Sequence, residues 1–173
     1  MEHTAVMPDH RDNEWVRTNR EKLISYSVYR FPDGTEIQSL GTNMTYINLY
    51  PAGGVTGTIY DMAKYAQSFV SDNCTLFENK ETLDLLLSPT SFYGGSDIPD
   101  FCHGFIMTPF AVNTYGHNGG TDACVSNLLF DPETKIGVVI LMNQIGDGSI
   151  CAGLPRVIFG KSIDNPIFET KRG

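Results

Sequence analysis

The sequence predicts an α+β domain in which an antiparallel sheet is flanked by helices. Between residues 101 and 142, four β-rich segments follow one another with only short turns between them, which is typical of an antiparallel meander. Helical periodicity precedes this meander in residues 59–70 and follows it in residues 148–160. Strands and helices that are segregated along a chain in this way favour the α+β class.

A surface helix and a hairpin are predicted in the first part of the chain. Residues 11–23 are polar with a narrow apolar stripe, and Asp12 or Asn13 can cap a helix there. Residues 25–31 alternate like a strand, and the Pro-Asp-Gly that follows returns the chain toward a partner strand at 36–38.

Two further helices are predicted before the meander. The glycine-rich residues 51–57 form a close turn, and Thr58 and Asp61 have capping-box spacing at the start of the helix that follows. A shorter helix is predicted at about 80–87, since Pro89 stops it.

The meander itself contains four predicted strands, Phe101–Phe110, Val112–His117, Ala123–Phe130 and Ile136–Met142. The fourth is a continuous apolar run, which predicts a strand covered on both faces. Pro155 leaves the start of the closing helix uncertain.

Charge and cysteine content exclude several classes of function. Twelve Lys and Arg against 20 Asp and Glu give a net charge of −8, which argues against nucleic acid as a partner. No apolar run is long enough to span a membrane, and no signal peptide is visible, so a cytoplasmic and an exported protein are both compatible with the sequence. The four cysteines lack metal-ligand spacing and their redox state is open; no metal or cofactor is predicted.

The segment most indicative of function is Tyr115–Thr121, where a predicted strand ends. Three glycines and His117 lie within it, and glycines let another molecule approach the backbone closely. By itself, this pattern also fits a glycine-rich hairpin that contains an incidental histidine.

Three segments together resemble the serine β-lactamase-like hydrolases, which include class C β-lactamases, DD-peptidases and related esterases. Tyr50–Ala66, with its Pro-Ala-Gly-Gly start, is similar to the stretch before the family's third active-site motif. Tyr115–Thr121 is similar to that motif, KTG or HxG, and Leu129–Gln144 to the hairpin after it. Met1–Val6 is also similar to an upstream segment, so the resemblance covers nearly the whole chain.

The resemblance implies roles for individual residues. His117 is the expected electrostatic or proton-relay residue, and Gly120 is expected to offer an oxyanion N–H. Asn118 is expected to contact substrate, Gly119 to permit its close approach, and Thr121 to contribute to substrate binding. Asn143, which ends the fourth strand, either lines the site as a substrate-binding residue or caps the strand.

The family's nucleophile motif is missing from these 173 residues. None of the six lysines follows a serine at the Ser-x-x-Lys spacing. Tyr46-Ile-Asn48 matches Tyr-x-Asn by letters but lies too close to the glycine-rich segment to be the family's motif. The chain is therefore expected to be the C-terminal part of such a domain, with residues 1–100 mostly helical and loop and 101–173 forming strands and a C-terminal helix, inactive alone.

Two other functions are open. One is a non-catalytic module that binds a peptide or cell-wall fragment, and the other is an unrelated hydrolase using Cys102 or Cys124 with a histidine. The incomplete β-lactamase/DD-peptidase-like fold also predicts self-association through an unpaired sheet edge.

Overall fold

A computed structural model describes residues 1–6, 12–42, 49–72, 76–122 and 124–160. In chain order the elements are β1 (Ala5–Val6), α1 (Glu14–Arg20), β2 (Ser25–Phe31), β3 (Gly34–Gly41), α2 (Tyr50–Gly53), β4 (Val55–Thr56), α3 (Ile59–Val70), α4 (Lys80–Leu86), β5 (Ile106–Pro109), β6 (Asn113–Gly120), β7 (Val125–Asp131), β8 (Ile136–Met142), β9 (Gln144–Ile145) and α5 (Ser149–Phe159). This arrangement of antiparallel sheets and flanking helices confirms the predicted α+β class.

The chain divides into two compact units that each draw on several segments. The first contains Met1–Lys64, Asn118–Ser126 and Ile140–Cys151. The second contains Tyr65–His117 and Asn127–Val139, together with the chain from Ala152 onward.

The hairpin of β2 and β3 dominates the first unit. Its two strands pair antiparallel, with Phe31 opposite Gly34 beside the turn and Val28 opposite Ile37 further along. β2 also pairs in parallel with β9, so the strand order in this three-stranded sheet is β3-β2-β9. The hairpin is the predicted one, but β3 is longer than the sequence pattern suggested.

Helix α1 in the same unit begins where the sequence predicts. Asn13 is its N-cap, and the Asn13 Oδ1 accepts a hydrogen bond of 3.0 Å from the Val16 N–H. Val16 is completely buried. The cap satisfies one of the N–H groups that the first turn of a helix leaves without a partner.

An aromatic cluster forms the core of the second unit. Phe130 of β7 is completely buried and stacks on Phe69 of α3 with 4.6 Å between ring centroids. Phe105 meets both rings edge-on, at 5.4 Å from Phe69 and 5.2 Å from Phe130. Leu83 of α4 completes this buried group. The cluster ties two helices to β7 and the segment that leads into β5.

The meander is a four-stranded sheet in the order β5-β6-β7-β8. β5 pairs antiparallel with β6, from Pro109 opposite Asn113 to Ile106 opposite Gly116. Asp131 ends β7 and holds the turn to β8, because its carboxylate accepts hydrogen bonds from the Glu133 and Thr134 N–H groups. The predicted sequence of strands is therefore found, but its first member is much shorter than expected.

The expectation that β8 is covered on both faces is wrong for the described chain. Val138 and Ile140 are buried, but Leu141 is 43% exposed and Ile136 is 40% exposed. β8 thus buries alternate residues on one face, as an antiparallel strand with one covered face does. Helix α5 runs through Pro155, which is buried within it. Among the described residues, no helix is long and apolar enough to cross a membrane.

Candidate active site

Four of the predicted site residues occupy the end of β6. We call this segment, His117–Gly120, the β6 tip. The pairing of β5 with β6 ends at Ile106 and Gly116, so the β6 tip extends past β5. His117, Asn118 and Gly120 are exposed, and Gly119 is partly buried. The β6 tip is therefore open to a molecule in solution.

The glycines of β6 differ in what requires them. A Cβ on Gly116 would lie 1.8 Å from the Leu128 carbonyl oxygen, so β7 leaves no room for a side chain there. A Cβ on Gly119 would lie 2.6 Å from the Ser126 Oγ. A Cβ on Gly120 would meet no atom of the described residues within 4 Å. Packing inside the chain thus accounts for Gly116 and constrains Gly119, whereas it does not require a glycine at position 120.

The strand that carries the β6 tip is anchored by a buried hydroxyl. Thr114 is completely buried, and its Oγ1 donates a 2.8 Å hydrogen bond to the Thr108 carbonyl oxygen on β5. A buried hydroxyl that has a partner adds to stability, whereas one left unpaired is costly. This bond holds β6 beside β5 just before the tip begins.

Thr121 closes the turn that follows the β6 tip. Its N–H donates to the Cys124 carbonyl oxygen at 2.9 Å, and its Oγ1 accepts from the Cys124 N–H at 3.1 Å. These contacts give Thr121 a role in the turn between β6 and β7. Its predicted contact with substrate stays a prediction.

Asn143 makes its described polar contacts with the beginning of β2. Its Nδ2 donates to the Ile24 carbonyl oxygen at 2.7 Å, and its own carbonyl oxygen accepts from the Tyr26 N–H at 2.9 Å. These bonds join the end of β8 to the three-stranded sheet within the first unit. Such geometry fits the role of a strand-end cap, the alternative to lining the site.

Two groups near β6 in the second unit, the phenol of Tyr115 and the thiol of Cys102, have raised pKa values. Burial raises the pKa of Tyr115, and the charges of Cys102, Glu133 and Asp131 raise it further. Burial also raises the pKa of Cys102, whose Sγ donates to the Leu87 carbonyl oxygen at 3.0 Å. Because the thiolate is the reactive form of cysteine, this environment disfavours Cys102 as a nucleophile.

A buried carboxylate stabilises the first unit in a way that the sequence did not indicate. Asp61 is 2% exposed, and its Oδ2 accepts hydrogen bonds of 2.8 Å from the His3 N–H and from the Thr4 Oγ1. Burial acts to raise the pKa of Asp61, but these two bonds and the positive charges of the N-terminus and Lys64 lower it overall. The capping-box spacing predicted bonds between Asp61 and Thr58 instead, and the Asp61 N–H does donate to the Thr58 Oγ1 at 3.2 Å.

An open pocket of about 610 Å³ lies in the first unit beside α1. The residues that line it are Glu2, His3, Asp12, Asn13, Glu14, Trp15, Thr18 and Asn19, and they include none of the predicted site residues. Across the described ranges, no group of three His, Cys, Asp or Glu residues could hold a metal ion. The Tyr46-Ile-Asn48 match lies outside the described residues.

Comparison with known families agrees with the resemblance of the sequence motifs. A family model described as Beta-lactamase matches residues 1–155, which include all of the predicted site residues. No curated protein matches the chain. Since the family model covers most of the 173 residues, the chain belongs to the beta-lactamase family.

Proposed function

We propose that this chain carries one wall of a serine acyl-transfer site that acts on a β-lactam, a D-amino peptide or an ester. In this proposal the 173-residue chain binds the acyl substrate but does not turn it over by itself. The observation that carries the proposal is the β6 tip, an exposed strand end whose last glycine has open space beside it. Membership of the beta-lactamase family supports the reaction class.

The Gly120 N–H is the proposed donor to the developing oxyanion. In acyl transfer the carbonyl oxygen of the substrate gains negative charge as the nucleophile attacks, and fixed N–H donors stabilise that charge. Losing one such donor typically lowers kcat by about 10²–10³-fold. The absence of a side chain at Gly120 leaves room for the substrate carbonyl, which explains a glycine that internal packing does not require.

His117 and Asn118 are proposed to contact the substrate from the same strand. The two side chains are exposed and consecutive on β6, so they lie on opposite faces of the strand and would contact different groups of a substrate that lies along its edge. An imidazole can donate a hydrogen bond to an anionic group or relay a proton near neutral pH. A carboxamide can donate to a carbonyl or carboxylate oxygen of the substrate.

Turnover needs a nucleophile that this sequence does not supply in the family's form. No Ser-x-x-Lys occurs in the 173 residues. The buried thiol of Cys102 has a raised pKa, and the phenol of Tyr115 is likewise held protonated. An oxyanion donor without an activated nucleophile stabilises no acyl-enzyme.

A non-catalytic binding module is the second candidate function. It is favoured by one specific feature, the exposed β6 tip in a sequence that lacks Ser-x-x-Lys. The two candidates both expect substrate binding by the β6 tip. They differ in whether a nucleophile supplied from outside this chain restores chemistry.

A hydrolysis assay separates these candidates. The purified chain, incubated with nitrocefin and with p-nitrophenyl acetate, is expected to release product no faster than buffer. Adding a separately produced polypeptide with the Ser-x-x-Lys and Tyr-x-Asn motifs of a family member is expected to restore turnover, and His117→Ala is expected to reduce it. If turnover is restored but His117→Ala does not reduce it, the assigned role of His117 is contradicted. Binding without restored turnover favours the non-catalytic module.

Serine-dependent turnover by the chain alone is the result that contradicts the proposal. It is detected as covalent labelling by a fluorophosphonate, followed by mapping of the modified residue. Stoichiometric labelling of any serine in the parent chain, with matching loss of hydrolysis, would show that a nucleophile is present after all.

A further inference from the structure

Strand β3 forms one edge of the three-stranded sheet in the first unit. The strand order is β3-β2-β9, and among the described residues no other strand pairs with the outer edge of β3. β3 is eight residues long, and Glu36 is its single charged residue. It contains no lysine or proline, the residues that commonly protect an edge strand from pairing with another chain.

The hairpin register determines which residues of β3 face outward. Two residues separate Phe31 from Gly34, which pair with each other at the turn. A two-residue turn closes on a hydrogen-bonded pair, and hydrogen-bonded pairs then recur at every second residue. It follows that Thr35, Ile37 and Ser39 direct their N–H and C=O groups away from β2, toward the outer edge.

The centre of this edge is apolar and exposed. Ile37 is 65% exposed, and its partner on β2 is Val28, which is only partly buried. Paired residues project on the same face of a sheet, so Ile37 and Val28 form a short apolar stripe across the hairpin. The stripe runs to the outer edge of β3 and stops there.

We propose that β3 pairs antiparallel with β3 of a second copy of this chain, about a two-fold axis at Ile37. In this register Ile37 lies opposite Ile37 of the second copy. Thr35 then lies opposite Ser39, and Glu36 lies opposite Gln38. The edge is therefore complementary to itself, which favours a second copy over an unrelated strand.

This register gives the outward backbone groups of β3 hydrogen-bond partners and places compatible side chains opposite each other. The outward groups of Thr35, Ile37 and Ser39 exchange about six hydrogen bonds with the second copy. The two apolar stripes join at the paired Ile37 residues. Glu36 meets a neutral glutamine rather than another glutamate, so no like charges lie directly opposite each other.

The net charge of the chain predicts how association depends on salt. Two copies that each carry a charge of −8 repel one another. Added salt screens this repulsion. The dimer is therefore expected to tighten as the ionic strength rises.

Disulfide trapping of the full chain tests the register. Ile37→Cys places two thiols directly opposite each other, where the Cα separation of about 5.5 Å suits a disulfide. Ser39→Cys is the matched control, because its two copies lie four residues apart along the strands, about 13 Å. Mild oxidation is expected to yield a covalent dimer of Ile37→Cys, well above the level of the parent chain and of Ser39→Cys. Equal dimer yields from the two variants would overturn the proposed register.

Sedimentation velocity of charge variants tests the interface without a covalent bond. Ile37→Lys sets two positive charges opposite each other and is expected to raise the dimer dissociation constant about tenfold or more. Gln38→Lys faces Glu36 of the second copy and is expected to leave the constant unchanged or lower it. If the variants acted only by reducing the net negative charge of the chain, both would associate more tightly than the parent. A parent chain that stays monomeric at every concentration, or an Ile37→Lys variant that dimerises like the parent, overturns the proposal.

The trapping experiment still tests the proposal if Ile37→Lys does not fold. Circular dichroism of Ile37→Lys shows whether the hairpin survives, and Ile37→Cys keeps a small apolar side chain if it does not. The oligomeric state is independent of hydrolysis. Failure of this interface therefore leaves the proposed function of the β6 tip untouched, and the reverse also holds.

Discussion

Replacing Gly116 by alanine tests whether β6 packs on β7 as the structure describes. The new Cβ would lie 1.8 Å from the Leu128 carbonyl oxygen and 2.9 Å from the Leu129 Cα. These are backbone atoms, so no rotation of a side chain relieves the clash. The strands have to separate by more than an ångström, which breaks neighbouring ladder hydrogen bonds worth about 0.5–1.5 kcal/mol each. The broken hydrogen bonds and the overpacking together are expected to lower the free energy of unfolding by about 2–4 kcal/mol.

Urea unfolding followed by far-ultraviolet circular dichroism measures this loss. Gly120→Ala is the matched control on the same strand, because its Cβ would meet no atom of the described chain within 4 Å. We expect Gly120→Ala to change the free energy of unfolding by no more than about 0.5 kcal/mol. If Gly116→Ala were as stable as the parent, or if the two variants lost equal stability, the described packing of β6 on β7 would be refuted.

Two further substitutions test the aromatic core of the second unit and a carboxylate just before helix α5. Phe130→Ala removes a completely buried ring that stacks on Phe69, so we expect a loss of about 3–5 kcal/mol by urea unfolding; a loss under about 1 kcal/mol would contradict that core. Hydrogen bonds from Ser149 lower the pKa of Asp147 from 3.8 to about 2. The carboxylate therefore stabilises the fold above about pH 4, and this contribution disappears as the pH falls through about 2. Asp147→Asn is expected to be less stable than the parent near pH 5, and this difference is expected to shrink as the pH falls below about 2. A difference that does not change with pH would contradict this.

Local signals in the sequence predicted the elements that depend on local contacts. The helix at α1 follows from Asn13, whose side chain caps it through a contact three residues away. The β2–β3 hairpin follows from the alternation of residues 25–31 and from the Pro-Asp-Gly turn after them. In these elements the interacting groups are close in sequence, so a pattern of residue types contains most of the information.

The first meander strand was mispredicted because a local turn interrupts the run of strand-forming residues. The first meander strand was predicted as Phe101–Phe110, but it begins at Ile106. Gly104 adopts a positive φ of 93°, and the Cys102 N–H bonds to the Phe105 carbonyl oxygen, so this part of the chain turns instead of extending. The residue composition favours a strand there, but the turn at Gly104 interrupts it.

In the candidate site, by contrast, the deciding contact is distant in sequence. Three glycines near His117 suggested close approach by another molecule. The structure supplies a different reason for Gly116, the carbonyl oxygen of Leu128, which lies twelve residues away and only becomes adjacent in the sheet. Gly120 keeps the functional interpretation, because in the part of the chain that the structure describes no atom fills the space beside it. Sequence alone has no means of separating these two glycines.

The binding site of the β6 tip is tested most directly by site-resolved nuclear magnetic resonance. Backbone amide shifts of the full chain are followed while N-acetyl-D-Ala-D-Ala is added up to about 10 mM, a range that suits the weak binding of a small ligand. We expect saturable shifts centred on Asn118 and Gly120. Gly120→Val is expected to abolish them, whereas Gly148→Ala is expected to retain them, because a Cβ on Gly148 likewise meets no described atom within 4 Å. Saturable shifts confined to other residues, or no shift at all at the highest concentration of either this peptide or a β-lactam, would contradict this expectation.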